Sequence, residues 1–156
     1  MAFLSDVEII KKYGQPGNPD NFTIIQLPYP MRIAWDTSHI VTKMQCHELV
    51  ALDFTKVFEE LLTTYGFNKI KELGIDLFGG CVNVRQMRGS KTKWSRHSWG
   101  IALDLDPARN GLKTTWANSQ FFKQDYKPML EIFNKYKFAN YGKEKGYDAM
   151  HFEKIN

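Results

Sequence analysis

Two short segments of the sequence contain the residue types that bind a catalytic metal ion. The first is SRHSWGIALD at residues 95–104, and the second is DAMHFE at residues 148–153. Two histidines and one carboxylate are the usual protein ligands of a catalytic zinc, which keeps its fourth position open for water. His97, Asp104 and His151 are therefore the candidate ligands of a single zinc ion.

The first segment is predicted to form a turn followed by a strand. Apolar residues alternate with small or acidic ones over residues 101–106, which is the period of two of a half-buried strand. Asp104 and Asp106 then share the polar face. A turn at Gly100 would bring the imidazole of His97 toward Asp104. Asp106 is either a partner of the metal ligands or a cap for the turn that follows.

The second segment is predicted to supply the other histidine and a base. A short apolar alternation around His151 predicts a neighbouring strand. Asp148 lies three residues earlier, in a turn after Gly146. From that position it could take a proton from water, as a carboxylate that is not a ligand does beside other catalytic zincs. The alternative is that Asp148 is an ordinary turn residue.

The combined motif resembles that of the zinc D-alanyl-D-alanine carboxypeptidase and L-alanyl-D-glutamate peptidase family, which includes VanY-like enzymes and many bacteriophage endolysins. The family pattern is S-x-H, then x-x-G-x-A-x-D, then an acidic residue three positions before a final H that an aromatic residue usually follows. The resemblance covers roughly residues 79–153. The chain meets the pattern with Ser95, His97, Gly100, Ala102, Asp104, Asp148, His151 and Phe152.

This resemblance implies roles for the individual residues. Zn²⁺ would be the cofactor, held by His97, Asp104 and His151, and Asp148 would be the catalytic acid/base. The stretch GGCVNVR at residues 79–85 is similar to the strand that supplies a catalytic arginine in the family. Arg85 is therefore expected to stabilise the developing oxyanion, with Arg88 as the competing residue for that role.

Three further residues are candidates for substrate binding. Arg88 and Ser95 lie within the basic stretch over residues 85–96, and Trp99 follows His97 closely enough to line the wall of a cleft. Each has a structural alternative: Ser95 could cap a turn, Trp99 could pack in the core, and Arg88 could be a surface cation. His39 and His47 have no partner at a suitable spacing, and both are predicted to be structural.

Length and composition indicate one domain over residues 1–156, and we expect the protein to be a monomer. A chain of 156 residues with 43% hydrophobic content can bury one sizeable core. The resemblance implies an α+β fold of the hedgehog and DD-peptidase type, with a small, mainly antiparallel sheet backed by helices. The formal charge of +4 favours an anionic wall polymer and is too small to require nucleic acid. Cys46 and Cys81 are expected to be free thiols.

The sequence also suggests where the protein would be made. Its first residues show no basic and apolar export signal, and no apolar run approaches the roughly 20 residues that span a bilayer. We therefore expect cytoplasmic synthesis without membrane insertion, followed by action on the bacterial wall after release, as phage lysins act. A mature protein whose signal was removed is the alternative.

Local patterns predict the elements that hold these residues. Ser5 and Glu8 form a capping box, which predicts a helix ending near Tyr13. Periodicity, prolines and glycines predict the rest: a strand over 22–27, a loop around Pro28 and Pro30, one long amphipathic helix over 45–65, a strand ending near Arg85, a helix over 125–136, and a final hairpin after residue 142.

The resemblance implies hydrolysis of an amide bond in the peptidoglycan stem peptide. Most family members carry Glu where this chain has Asp148, and Asp occurs in the phage endopeptidase branch. The L-alanyl-D-glutamate bond is therefore the first expectation, with D-alanyl-D-alanine carboxypeptidase activity as the alternative. Two other classes stay open: a non-catalytic wall-binding module in which zinc staples the fold, and nucleic-acid binding through the basic residues between 85 and 96.

Overall fold

A six-stranded mixed sheet forms the centre of the computed structural model, which describes residues 2–156. The strands are β1 (Phe22–Ile33), β2 (Asp36–His47), β3 (Leu77–Gly80), β4 (Ala102–Leu105), β5 (Phe138–Asn140) and β6 (His151–Lys154). Their order in the sheet is β2-β1-β3-β4-β6-β5. The pair β1 and β3 is parallel and the other neighbouring pairs are antiparallel, so the predicted α+β fold with a mainly antiparallel sheet is confirmed.

Helices pack on the sheet and enclose the core. The largest buried side chains of the core are mainly aromatic, among them Phe54, Phe58, Phe133 and Phe152. No helix in the described part of the chain is long and apolar enough to cross a membrane. The helices are α1 (Asp6–Tyr13), α2 (Ala51–Tyr65), α3 (Phe67–Leu73), α4 (Lys127–Lys135) and α5 (Tyr141–Lys145).

The predictions for α1 and α4 are confirmed. The Ser5 hydroxyl accepts a hydrogen bond from the Glu8 backbone N–H, and the Glu8 carboxylate accepts one from the Ser5 N–H. This reciprocal pair is the predicted capping box. The α4 helix lies within the predicted range of 125–136, and it buries Met129 and Phe133 as the helical spacing indicated.

The prediction of a short first strand followed by a loop is wrong. Strand β1 extends to Ile33 and so includes Pro28 and Pro30. Proline lacks a backbone N–H and is tolerated in a strand only at an edge or an irregularity. The register of β1 against β2 shifts between Gln26 and Met31, which places both prolines inside that irregularity.

The predicted helix over 45–65 begins too early. Residues 45–47 belong to β2, where Gln45 pairs with Ile24, and α2 begins at Ala51. His47 ends the strand: its Nδ1 accepts a hydrogen bond from the Leu49 N–H, and its Nε2 lies 2.7 Å from the Tyr13 carbonyl oxygen. Pairing across the sheet therefore outweighs the local helical pattern, and the prediction that His47 is structural is confirmed.

The strand expected to end near Arg85 ends earlier. Strand β3 stops at Gly80, whose φ of +121° breaks the extended conformation. Residues 81–95 form an irregular loop in which a single bridge pairs Gln86 with Trp94. Arg85 therefore lies in a loop and not on a strand.

Candidate metal centre

The three predicted ligands meet at one point in the structure. His97, Asp104 and His151 each offer one ligand atom, and these atoms lie within 4.8 Å of one another. The two carboxylate oxygens of Asp104 face different rings: Oδ2 is 3.2 Å from His97 Nε2, and Oδ1 is 3.2 Å from His151 Nδ1. All three side chains are largely buried, and Asp104 is 13% exposed.

Strand pairing positions two of the ligands. Strands β4 and β6 are antiparallel, and Asp104 lies directly opposite His151 in their register. Side chains opposite each other in an antiparallel pair project from the same face of the sheet, with Cβ atoms about 5 Å apart. The predicted neighbouring strand for His151 is therefore confirmed.

A short turn positions the third ligand. His97 lies in a 3-10 turn over Arg96–Trp99, which Ser95 caps and Gly100 ends with a φ of +72°. A Cβ at Gly100 would lie 2.7 Å from the backbone nitrogen of His47, so only glycine fits without displacement. This confirms the predicted turn at Gly100. It also shows that the turn packs directly on the end of β2.

Hydrogen bonding orients the His97 ring toward the other ligands. The Nδ1 atom of His97 lies 2.8 Å from the Cys81 carbonyl oxygen, which can only accept a hydrogen bond. The proton is therefore on Nδ1, and Nε2 presents a lone pair. This Nε2 is buried and has no hydrogen-bond partner within residues 2–156. A buried acceptor aimed at Asp104 is costly unless a cation or a donor satisfies it.

A second carboxylate supports His151. The Nε2 atom of His151 lies 2.9 Å from Glu153 Oε1, and Glu153 is itself buried. Metal-binding histidines usually donate their other ring N–H to such a carboxylate, which fixes the ring orientation. Glu153 was not among the residues predicted to form the site. Its spacing of two from His151 on a strand was the available signal, because residues two apart share a face.

Electrostatic coupling at the centre is strong. Burial lowers the pKa of His151, but hydrogen bonds with Asp104 and Glu153 outweigh burial and raise that pKa to about 10. Burial likewise raises the pKa of Asp104, but the two imidazoles hold it below the ordinary value of an aspartate. The carboxylates therefore attract positive charge to this point, which suits a cation-binding site.

Asp148 lies at the same centre in an unusual conformation. Its φ is +59°, a region that aspartate tolerates better than most residues, and its backbone carbonyl accepts a hydrogen bond from the His151 N–H. The carboxylate Oδ1 is buried and has no hydrogen-bond partner among the described residues. Burial raises the pKa of Asp148, while the charges of His151 and Arg88 act in the opposite direction. A raised pKa suits a proton carrier.

These residues line one cleft of about 290 Å³. Arg85, Arg88 and Ser95 lie in its walls, together with the three ligands and Asp148. The Arg85 guanidinium donates only to the neighbouring Gln86 carbonyl, at 3.4 Å, and neither arginine forms an ion pair within the described chain. Ser95 caps the turn through its hydroxyl, which accepts from the His97 N–H at 3.3 Å.

Two residues near the motif lie away from the cleft. Trp99 is 1% exposed, and its Nε1 donates to the Gly14 carbonyl oxygen at 2.8 Å, so it packs in the core instead of binding substrate. Asp106 follows the end of β4, where a φ of +47° turns it away from the strand face. Its carboxylate pairs with Arg109 at 2.7 Å, so the turn alternative applies.

The comparisons with known proteins agree with this chemistry. Residues 88–154 match the model of a family described as D-alanyl-D-alanine carboxypeptidase. No curated protein and no solved structure matches the chain. The matched part covers less than half of the chain, but it includes Arg88, the three ligands and Asp148. The similarity supports a metallopeptidase of the carboxypeptidase type for this part of the chain.

Proposed function

We propose that this protein is a zinc-dependent peptidoglycan peptidase that hydrolyses an amide bond of the stem peptide. The observation that carries the proposal is the convergence of His97, Asp104 and His151 with the half-buried Asp148 carboxylate in one cleft. A structural zinc site is closed by four protein ligands, whereas a catalytic site has three and leaves a position for water or substrate.

The donor set fits Zn²⁺. Neutral imidazole nitrogen is a borderline donor and carboxylate oxygen is a hard donor, and Zn²⁺ binds both. The unpartnered Nε2 of His97 is consistent with an ion at this point. Zn²⁺ bound by these residues would act as a Lewis acid on the scissile carbonyl and would lower the pKa of water toward 7. Cobalt or manganese could substitute for zinc at such a site.

Asp148 is assigned the proton transfers. Its half-buried carboxylate, with a raised pKa and one buried oxygen that has no partner among the described residues, can accept a proton from the attacking water. The same group then donates that proton to the leaving amine. General acid–base catalysis of this kind contributes roughly 10² to 10⁴ in rate.

The arginines are assigned to the negative charges of the reaction. Arg85 and Arg88 line the cleft without a carboxylate partner, which leaves both guanidinium groups free to bind substrate. One would stabilise the developing oxyanion and the other a carboxylate of the stem peptide. We assign Arg85 to the oxyanion, because the stretch over residues 79–85 is similar to the one that supplies a catalytic arginine in the family.

The L-alanyl-D-glutamate bond is the first choice of substrate, in an endolysin-type role on the bacterial wall. Asp148 supports this choice, because aspartate at that position resembles the phage endopeptidase branch. D-Alanyl-D-alanine carboxypeptidase activity is the second candidate, and the description of the matching family favours it.

Mass spectrometry of the soluble peptides released from purified peptidoglycan tests the proposal. We expect new L-alanine C-termini and D-glutamate N-termini, which chelator treatment and Asp148→Ala both abolish. Release of free D-alanine alone would transfer the assignment to a carboxypeptidase. A stem tripeptide without the terminal D-alanines separates the two activities, since only the endopeptidase can cut it.

The test also separates catalysis from a structural role of zinc. If zinc only stabilised the fold of a wall-binding module, chelation would lower the melting temperature and Asp148→Asn would change no activity. The absence of any metal-dependent product from several peptidoglycan types would overturn the peptidase proposal.

A further inference from the structure

A second pocket adjoins the metal centre on the side away from Asp148 and His151. It encloses about 170 Å³ and shares Arg85, His97 and Asp104 with the main cleft. Its outer wall is Trp35, which belongs to the turn between β1 and β2. The binding surface therefore continues past the ligands to the N-terminal half of the molecule.

Strand register explains why Trp35 lies beside the metal centre. Strands β1 and β3 are parallel, with Ile33 paired to Phe78, and the Ala34 N–H donates to the Phe78 carbonyl oxygen at 2.9 Å. The turn that follows β1 therefore runs alongside the end of β3. On the opposite side of β3, Gly80 pairs with Asp104 of β4.

Glycine keeps the space between Trp35 and Asp104 open. A Cβ built at Gly80 would meet no heavy atom within 4 Å, so the position faces open space. A Cβ at Gly79 would lie 3.0 Å from the Cβ of Asp104, so this glycine permits the close approach of β3 and β4. Because Gly80 has no side chain, a substrate group can occupy the space.

Trp35 is unusual both in its position and in its exposure. It is 73% exposed, whereas Trp99 is buried and the other tryptophans of the chain are half-buried. Tight hairpin turns favour glycine, asparagine and aspartate, so the turn itself does not call for an indole ring. An exposed aromatic side chain at the edge of a pocket is typical of a binding surface.

We propose that this pocket binds the N-acetylmuramoyl sugar on the amino side of the scissile bond, with Trp35 stacking on the sugar ring. The inference rests on the proposed L-alanyl-D-glutamate peptidase function. In that substrate one alanine separates the scissile bond from the lactyl group of the sugar. At 3.3 to 3.6 Å per residue, the sugar then lies about 7 Å from the reacting carbonyl.

The alternative substrate would not fill this pocket in the same way. In a D-alanyl-D-alanine carboxypeptidase four residues and the lactyl group separate the scissile bond from the sugar, which is about 17 Å of extended chain at the same spacing. A pocket that shares two metal ligands with the main cleft is too near for that sugar. The amphipathic lining fits a sugar, because the indole offers an apolar face, and Asn83 and Arg85 offer polar groups.

Paired substrates provide the kinetic test. N-acetylmuramoyl-L-alanyl-D-glutamyl-L-lysine and the same tripeptide with only an N-acetyl group are compared for the wild type, Trp35→Ala and Trp35→Phe. We expect the sugar to raise kcat/KM about tenfold in the wild type, which corresponds to one good stacking contact. Trp35→Ala should lose this gain yet cleave the acetyl peptide within about twofold of the wild type, and Trp35→Phe should keep part of the gain.

Leu52→Ala, at a residue that is 68% exposed on α2, is the matched control and should retain the full preference for the sugar. An unchanged preference in Trp35→Ala would overturn the inference. An equal loss on both substrates would overturn it as well, because the effect would then be structural.

Product binding tests the pocket independently of catalysis. Titration calorimetry of zinc-loaded protein with N-acetylmuramoyl-L-alanine should show affinity about tenfold weaker in Trp35→Ala than in the wild type. N-acetyl-L-alanine should bind both proteins equally. If the wild type cleaves neither peptide, the proposed function fails, but this binding measurement still tests the sugar site. Equal affinities of wild type and Trp35→Ala for N-acetylmuramoyl-L-alanine would overturn the sugar site.

Discussion

Two regions of the molecule build the metal centre by different means. Strands β4 and β6 supply Asp104 and His151 through regular antiparallel pairing. The loop over residues 81–100 supplies His97 and the arginines, and it does so with an isolated bridge and individual hydrogen bonds. Asp104 and His151 form the strand half of the centre, and their positions depend on the register of the sheet. His97 and the arginines form the loop half, and their positions depend on single polar contacts.

Ser98 shows how the loop half is held. Its hydroxyl accepts a hydrogen bond from the Arg85 N–H at 3.0 Å and donates one to the Arg85 carbonyl oxygen at 2.8 Å. The same carbonyl accepts from the Ser95 N–H at 3.0 Å. These contacts tie Arg85 to the turn that carries His97. Because the two halves are held by different contacts, a mutation in the loop can displace Arg85 while Asp104 and His151 stay in place.

Removal of a strand ligand is the largest expected effect. Asp104→Ala deletes the group that contacts both imidazoles, at 3.2 Å each, and leaves two ligands for the metal. We expect loss of stoichiometric zinc and of activity down to the level of the chelated wild type. Zinc content by plasma emission spectroscopy and hydrolysis of the stem peptide measure both. Retention of zinc by a folded Asp104→Ala protein would contradict the assigned centre.

Asp148→Asn is expected to separate catalysis from metal binding. The amide is nearly isosteric but cannot carry the proton, so kcat should fall by roughly 10² to 10⁴. Zinc content should stay at the wild-type value, because Asp148 is not one of the three ligands. Asp125→Asn, at an exposed position, is the matched control and should have full activity. A parallel loss of zinc and activity in Asp148→Asn would instead make this residue a ligand.

Glu153→Gln tests whether the Glu153 carboxylate helps to orient the His151 ring. The substitution replaces the carboxylate that lies 2.9 Å from His151 Nε2 with a neutral amide. Loss of such a partner typically weakens metal affinity by about 10- to 100-fold. Competition with a chromophoric chelator measures the affinity. Unchanged affinity would show that strand pairing alone orients His151.

Ser98→Ala probes the loop half and is expected to have the smallest effect. It leaves the Arg85 N–H without its buried partner, at a cost of about 1 to 3 kcal/mol in the free energy of unfolding. Because Arg85 is then less well held, kcat should fall about tenfold with zinc content unchanged. Chemical denaturation and steady-state kinetics are the measurements. Ser38→Ala in the exposed β1–β2 hairpin serves as the control.

If Ser98→Ala released zinc as readily as Asp104→Ala, the proposed independence of the two regions would be wrong. The strands and the loop would then act as one unit.

The sequence alone was enough to predict which residues meet at the candidate metal centre. His97, Asp104, His151 and Asp148 could be found without a structure, because few residue types bind zinc or carry its protons, and their spacing is specific. Local signals were also sufficient for α1 and α4. A capping box and a helical apolar period act within a few residues, so sequence neighbours contain the whole signal.

Tertiary structure alone decided which other residues reach the centre. Trp35 comes beside Asp104 through the pairing of β1 with β3 and of β3 with β4, and the residues of these contacts are far apart in the sequence. The end of β4 at Leu105 and the positive φ of Asp106 likewise left Asp106 outside the site. Periodicity reports which face of an element is buried, but only packing of the whole sheet decides what lies opposite that face.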